Sequence, residues 1–480
     1  MHPVPAGGAA SFRRKGEKDV IFDSLVYVCF LPLTVLAQRL TPQRLRWAVL
    51  LAASYVFYAW WNVSLTALIA LVTLLSYGAG LLVEKTGSKA GKRWVLLLTL
   101  TCLLGILGYF KYFNMLAELI HGMKPAEILL PVGISFYTFQ AISYVVDVYR
   151  GELPAQRHLG YYGLYLSFFP QLVAGPIERT ENLLPQISRE KTFRYDQAAY
   201  GLKLMAWGFF KKLAIADVLG PLADQAYANL PGCSTLDLLA AVLCFALQIY
   251  CDFSGYSDIA IGSAKLLGID LMTNFRSPYF AKSIREFWSR WHISLSTWFR
   301  DYVYIPLGGS RRGKGKTCRN LLITFLVSGL WHGANWTFVV WGGLHGLAQV
   351  LEKLLSKGKQ RLPVLRQAGV FLFCCITWVF FRAESFSDAF CLLSELGQGL
   401  AGNGCWQFRV LQIDLPLLIQ AAVSMALLGI FDYCSLKTDV IDWVSRRSPV
   451  VKWGIYLLLI WLILCFMPVT GSSEFVYFQF

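Results

Sequence analysis

Charge is what this sequence has least of. Only 15% of its 480 residues are Asp, Glu, Lys or Arg, where an ordinary globular domain carries about a quarter. The shortfall falls mostly on acids, 29 against 44 bases, leaving a net charge of +15. Nowhere between its apolar runs is there a separate soluble stretch large enough to hold a core. The roughly ten-residue alternation of a membrane β-barrel is missing as well. Its twelve cysteines contain no C-x-x-C pair, so neither a zinc pattern nor a disulfide framework is present. Cys374 and Cys375 are adjacent and so face different ways on a helix; the cysteines read as small buried hydrophobes. No internal repeat is visible. A phosphate-binding loop is absent too: Ser310–Thr317 reads SRRGKGKT and lacks the first glycine, the preceding strand and the soluble helix of that motif. Nucleotide hydrolysis is rejected on that ground.

What the sequence has is apolar length. It is 56% hydrophobic, with a mean hydropathy of +0.50, and long apolar runs recur from residue 21 to residue 470. Only internally hydrogen-bonded backbone survives in hydrocarbon, so the reading is an all-α, polytopic integral membrane protein. At about 20 residues per span, hydropathy predicts roughly nine to eleven membrane-embedded helices, some re-entrant. The bases cluster between the runs, which is a topological signal rather than a nucleic-acid-binding face. The basic loops Arg39–Arg46 and Glu84–Arg93 are separated by a two-span hairpin and can both face the cytoplasm. That places the N-terminus outside, against Arg13, Arg14, Lys15 and Lys18. The charged stretch ahead of an apolar run also resembles a signal peptide, with Val35-Leu36-Ala37 as a loose cleavage site. The favoured expectation is that residues 1–19 are a basic extension ahead of a natural start at Val20, and that residues 20–480 form one membrane domain.

Within this apolar chain, Ser328–Gly346 reads SGLWHGANWTFVVWGGLHG. A lone histidine in such a setting is usually a hydrogen-bonded packing residue, yet an intramembrane ionisable group is also a functional candidate. The apolar segment Leu321–Leu351 spans 31 residues, about 46 Å as one helix. It is too long for one bilayer core of about 30 Å and too short for two full crossings. It either enters and returns with His332 near the apex, or tilts with His332 near its middle. His345 lies 13 residues on, about 20 Å and roughly 140° around a continuous helix, a poor mate for His332 and better read as packing. Asn335 and Trp336 share the His332 face if the turn is helical. Asn335 then either orients the imidazole or bonds a nearby carbonyl.

The stretch 283–309, SIREFWSRWHISLSTWFRDYVYIPLGG, interleaves aromatics with Arg285, Arg290, Arg300 and Asp301. Spacing alone reads it as an interfacial amphipathic helix with His292 as a headgroup-level anchor. Gln248, Asp252, Ser254 and Asp258 in QIYCDFSGYSDIAIG read as interhelical hydrogen-bond glue, with a proton or ion relay as the sharper alternative. The five bases from Arg311 to Arg319 suit a cytoplasmic loop and could also meet an anionic cofactor or lipid headgroups.

These words, together with FFPQLVAGPIER at 168–179, GFFKKLAIAD at 208–217, TWVFFRA at 377–383 and the terminal FVYFQF at 475–480, resemble the membrane-bound O-acyltransferase (MBOAT) family. The resemblance runs in order from about Val20 to Phe480 and looks nearest to the bacterial alginate and peptidoglycan O-acetyltransferase-like branch. It implies a ring of helices around a central funnel, with His332 at the catalytic position and His292 at a second functional position. Desolvation favours a neutral imidazole able to accept a proton, so His332 would act as general base on an acceptor hydroxyl. A covalent acyl-His332 intermediate is the other route. Asn335 and Trp331 would support the site.

The resemblance further implies acetyl-CoA, or another cytoplasmic acyl thioester, as a donor substrate, with no tightly bound cofactor and no metal. The acceptor would be an extracytoplasmic polysaccharide, reached directly or through a hydrolase-like acetyltransferase partner. The setting would be the lipid bilayer of a bacterial cytoplasmic membrane, with no nucleic-acid partner. Two competing readings are a D-alanyl transferase of teichoic acids, fed by a carrier-protein thioester, and a transporter or flippase. The latter would more often show paired, interrupted halves.

Overall fold

The computed structural model describes residues 25–120, 125–173, 175–189, 192–355, 362–468 and 475–476. The expectations about the basic extension at 1–19, the start at Val20 and the last four residues lie outside them. Among the described residues the secondary structure is entirely helical. Six helices among the described residues are long and apolar enough to cross a membrane: Val63–Lys85, Lys89–Glu118, Thr235–Leu266, Pro363–Arg382, Leu415–Ser435 and Pro449–Phe466. The all-α membrane reading stands.

Burial sorts these helices by role. Thr235–Leu266 is the most enclosed, 67% buried over its apolar window, whereas Pro449–Phe466 is 6% buried. An apolar helix with so little protein contact is held by lipid, because the hydrocarbon is as apolar as its side chains. The central helix is anchored at its start by a capping box. Ser234 Oγ accepts from Asp237 N at 3.1 Å, and Asp237 Oδ2 accepts from Ser234 N at 2.9 Å. The same carboxylate also takes the backbone N–H groups of Arg409, Val410 and Leu411, tying a later loop to the helix end.

Shorter and more polar helices pack around this axis and carry the motifs. Lys314–His332 and Trp336–Leu355 form an antiparallel hairpin. The hydropathy reading is corrected here. Helix begins seven residues before Leu321, inside the basic loop, so the two arms have 19 and 20 residues, about 28 and 30 Å. Hydropathy missed the first arm's start because Lys314, Lys316 and Arg319 are polar, although all three are acceptable helix formers. Glycines let the arms approach closely. A Cβ added at Gly329 would overlap the Phe338 carbonyl, and one at Gly342 would overlap the Phe325 carbonyl.

The interfacial-helix reading of 283–309 is also corrected. The segment is two short helices, Ile284–Arg290 and Ile293–Phe299, followed by a π-helical turn at Arg300–Tyr304. Phe287, Trp288, Trp291, Leu295, Trp298 and Phe299 are all buried in protein. Trp291 meets Tyr250 of the central helix, Trp288 meets Phe325 and Trp341 of the hairpin, and Trp298 and Phe299 pack on Phe139 of the helix Ile134–Arg150.

Candidate active site

The break between those two short helices creates the first half of the site. His292 sits there with φ 43° and ψ 54°, a left-handed conformation that His, Asn and Asp tolerate better than most residues. It is completely buried. Asn274 Oδ1 accepts from Ser294 N at 3.3 Å and from Ser294 Oγ at 3.0 Å, and it faces His292 Nδ1 at 3.2 Å. An amide oxygen that already accepts two protons can only accept a third. Nδ1 therefore carries the hydrogen, and Nε2 is the basic nitrogen of His292. His292 is accordingly not a headgroup anchor.

The second half is the hairpin apex. The first arm ends at His332, and Gly333 turns away in an extended conformation. His332 is 2% exposed. Its ring is walled by Trp331 at 4.9 Å, Trp341 at 4.9 Å and Phe381 at 5.4 Å between centroids. The ring of His292 is 6.5 Å away, so 40 residues of sequence separation close into one cluster. Trp331 bridges the two histidines, 6.0 Å from His292. The buried indole N–H groups of Trp331 and Trp341 have no acceptor among the described residues. Buried donors left open are what a developing oxyanion requires.

Two residues marked by the sequence fall elsewhere. Asn335 does not reach the imidazole, because the turn is not helical. Its Nδ2 donates to the Glu384 carbonyl at 2.8 Å, and its Oδ1 accepts from Thr337 N at 3.1 Å, so it caps the second arm. His345 is engaged at both nitrogens. Trp288 Nε1 donates to its Nδ1 at 3.1 Å, and its Nε2 faces Thr377 Oγ at 3.1 Å.

The acidic positions of the central helix find their partners across helices. The GFFKKLAIAD motif forms a π-helical segment, Phe210–Ala216, that turns both lysines toward them. Lys211 meets Asp258 at 2.7 Å and Ser254 at 2.9 Å. Lys212 meets Asp217 at 2.6 Å and Asp252 at 3.0 Å. Asp252 also accepts from Val476 N at 2.7 Å. Phe475 packs 5.7 Å from Phe253, whose ring lies 4.7 Å from His292. The end of the chain thus braces the second histidine. In FFPQLVAGPIER, burial pushes Glu178 up to about 7, against the opposing pull of hydrogen bonds from Met272 N and Asn182.

A cleft of about 1060 Å³ opens beside the hairpin. Arg285, Arg300, Lys353 and Arg366 line it, together with Glu352. Ile293 and Ser328 also line the cleft. They are the neighbour of His292 in sequence and the residue one turn before His332.

A buried histidine pair, an aromatic wall and a charged cleft make up the candidate site, and the chain's relatives give it a family. The profile of MBOAT, the membrane-bound O-acyltransferase family, matches residues 58–394, and this chain belongs to that family. It is 39% identical over 492 residues to a Pseudomonas putida protein named "Probable alginate O-acetylase AlgI", covering 96% of this chain and all of the relative. It is 33% identical to the peptidoglycan O-acetyltransferase of Helicobacter pylori, covering 90% of this chain and 91% of the relative. A teichoic acid D-alanyltransferase of Streptococcus thermophilus is more distant, 30% identical over 48% of this chain and 59% of the relative. The protein is a membrane-bound acyltransferase, which removes the transporter reading.

Sequence reasoning passed over Asn274 and Lys111. Asn274 gave no signal, since its role needs a contact 18 residues away. Lys111 did carry one, as an ionisable residue inside an apolar span; its amine donates to the backbone of Trp331 and His332.

Proposed function

We propose that this protein transfers an acetyl group from acetyl-CoA on the cytoplasmic side of a bacterial inner membrane to a hydroxyl on an extracytoplasmic polysaccharide of the alginate type. The observation that carries the reading is the place of His332, buried at the apex of a hairpin one turn beyond a cleft with a basic mouth. Arg285, Arg300, Lys353 and Arg366 suit the phosphates of a nucleotide thioester. The aromatic wall suits the exclusion of water, which would otherwise hydrolyse the donor.

In this reading His332 takes the proton of the acceptor hydroxyl as its oxygen attacks the thioester carbonyl carbon. The carbonyl oxygen becomes an oxyanion that the Trp331 indole N–H meets. Collapse breaks the carbon–sulfur bond, and the proton held on His332 passes to the departing thiolate. His292, with Nδ1–H held by Asn274, presents Nε2 to donor or acceptor. Asn335 acts only through the turn that it caps. The acceptor is reached directly or through a hydrolase-like acetyltransferase outside the membrane. The greater share of the O-acetyltransferase relatives matched by this chain supports acetyl over D-alanyl.

The test is base-releasable acetate and D-alanine on envelope and secreted polymer, compared between wild type and His332→Ala at matched membrane abundance. Acetate lost with D-alanine unchanged is the expected result. Loss of D-alanine alone would reassign the acyl group, and unchanged acetate with intact protein would overturn the proposal.

A further inference from the structure

We propose that Lys111, with Tyr112 beside it, is a positioning residue for His332, holding the end of the catalytic helix from another span. The inference rests on the reading of His332 as the base and adds what keeps that base in place. An α-helix leaves its last four carbonyls without intrahelical partners. The usual remedy is a left-handed glycine that folds the chain back onto them. Here Gly333 is extended, with φ −160° and ψ 154°, so the chain does not cap itself in that way.

The missing donors come from the helix Lys89–Leu119. Tyr112 Oη donates to the Leu330 carbonyl at 2.8 Å. Lys111 Nζ donates to the Trp331 carbonyl at 2.6 Å and to the His332 carbonyl at 3.0 Å. Three successive carbonyls that end at the catalytic residue are thus held by two adjacent side chains more than 200 residues earlier. The ammonium also lies 5.6 Å from the Trp331 ring centroid. That ring in turn stands 4.9 Å from the His332 ring. One cation therefore constrains both the backbone of His332 and the indole that walls it.

The charge makes sense at this place. A helix C-terminus carries partial negative charge, and a cation there is stabilising. Lysine in a membrane span is otherwise costly and marks function by default. Lys211 and Lys212 meet that cost with carboxylates. Among the described residues Lys111 has no carboxylate partner; its hydrogen bonds go to the two carbonyls. A purely structural buried lysine would be expected to resemble the other two. The ammonium adjoins the apex rather than the cleft, so its removal should leave donor affinity alone.

The experiment uses inverted membrane vesicles from the producing cell, in which the native acceptor is present and the cytoplasmic face is outward. The initial rate of isotope-labelled acetyl transfer from acetyl-CoA to polymer is measured against donor concentration for wild type, Lys111→Met, Lys111→Arg, Tyr112→Phe and His332→Ala. Rates are normalised to protein that survives a heating step. Lys111→Met is expected to lower kcat about 10²-fold, the scale of a misplaced catalytic group, with the donor KM unchanged. Lys111→Arg keeps a cation with several donors and is expected to restore kcat to within about tenfold of wild type. Tyr112→Phe removes one neutral hydrogen bond and is expected to cost about fivefold. A wild-type kcat in Lys111→Met, a loss that only tracks surviving protein, or no rescue by arginine would overturn the proposal while His332→Ala stays inactive. Full activity in His332→Ala would instead overturn the reading of the base itself.

Discussion

His332 and His345 stand on the two arms of one hairpin, both buried and both among aromatic rings. Their surroundings differ in kind. His345 is built into the core by polar partners. Trp288 Nε1–H points at Nδ1, so Nε2 carries the hydrogen and gives it to Thr377, whose own hydroxyl donates to the Cys374 carbonyl. The tautomer is settled and both nitrogens are used. His332 is held instead through its backbone, by Lys111, while its ring is set among Trp331, Trp341, Phe381 and His292. His345 is fixed through its ring nitrogens, whereas the hold from Lys111 on His332 runs through the main chain.

The largest expected effect that would break this contrast is on turnover. His332→Ala should lower acyl transfer by about 10³-fold or more, the range lost with a general base. His345→Ala should leave kcat within about threefold of wild type and lower stability by roughly 2 kcal/mol through two lost buried hydrogen bonds. Labelled-acetyl transfer and thermal denaturation of the same membranes measure both; equal losses of kcat would erase the distinction. The next effect concerns His292, which belongs with His332. His292→Asn keeps a residue suited to the left-handed backbone but removes the ring, and should cost about 10²-fold in kcat. Asn274→Ala should cost about tenfold by releasing the tautomer, read from the same rate curves.

Two smaller effects sharpen the comparison. Asn335→Ala should lower stability by about 1 kcal/mol, as loss of a helix cap does, with activity nearly unchanged. Glu178 provides the control for any pH profile. Its folded value of about 7 lies above the ordinary carboxyl value of 4.5. Stability from this group is therefore complete below about pH 4.5 and is lost as pH rises through about 7. Thermal midpoints should fall across that window in wild type, and Glu178→Gln should flatten the decline. A slope that persists in the variant would assign it to another group.

Much of the site was legible in advance because its residues break the pattern around them. A histidine and an asparagine among tryptophans are conspicuous in an apolar run, and the motif words placed His332 and His292 in one family. What misled was treating periodicity as environment. The 283–309 aromatics repeat as an interfacial helix would, yet they pack inward, since a face of large rings can be buried by neighbouring helices as well as by lipid. Helical spacing puts Asn335 on the His332 face, but the turn between the arms is not helical. Lys111 was overlooked because its partners are backbone carbonyls in another helix, which no side-chain pattern reveals.

By itself the sequence determined that the chain is helical and lives in a membrane, because continuous apolar length allows no other backbone that satisfies its own hydrogen bonds. It also singled out the ionisable residues that such a setting makes expensive. Only the tertiary structure decided how those residues divide. Two lysines were assigned to aspartates and one to a helix end; one histidine was assigned to the core and two to a shared site. That division depends on which groups lie within about 3 Å of one another. Such distances are set by helices that meet in space, not by their order along the chain.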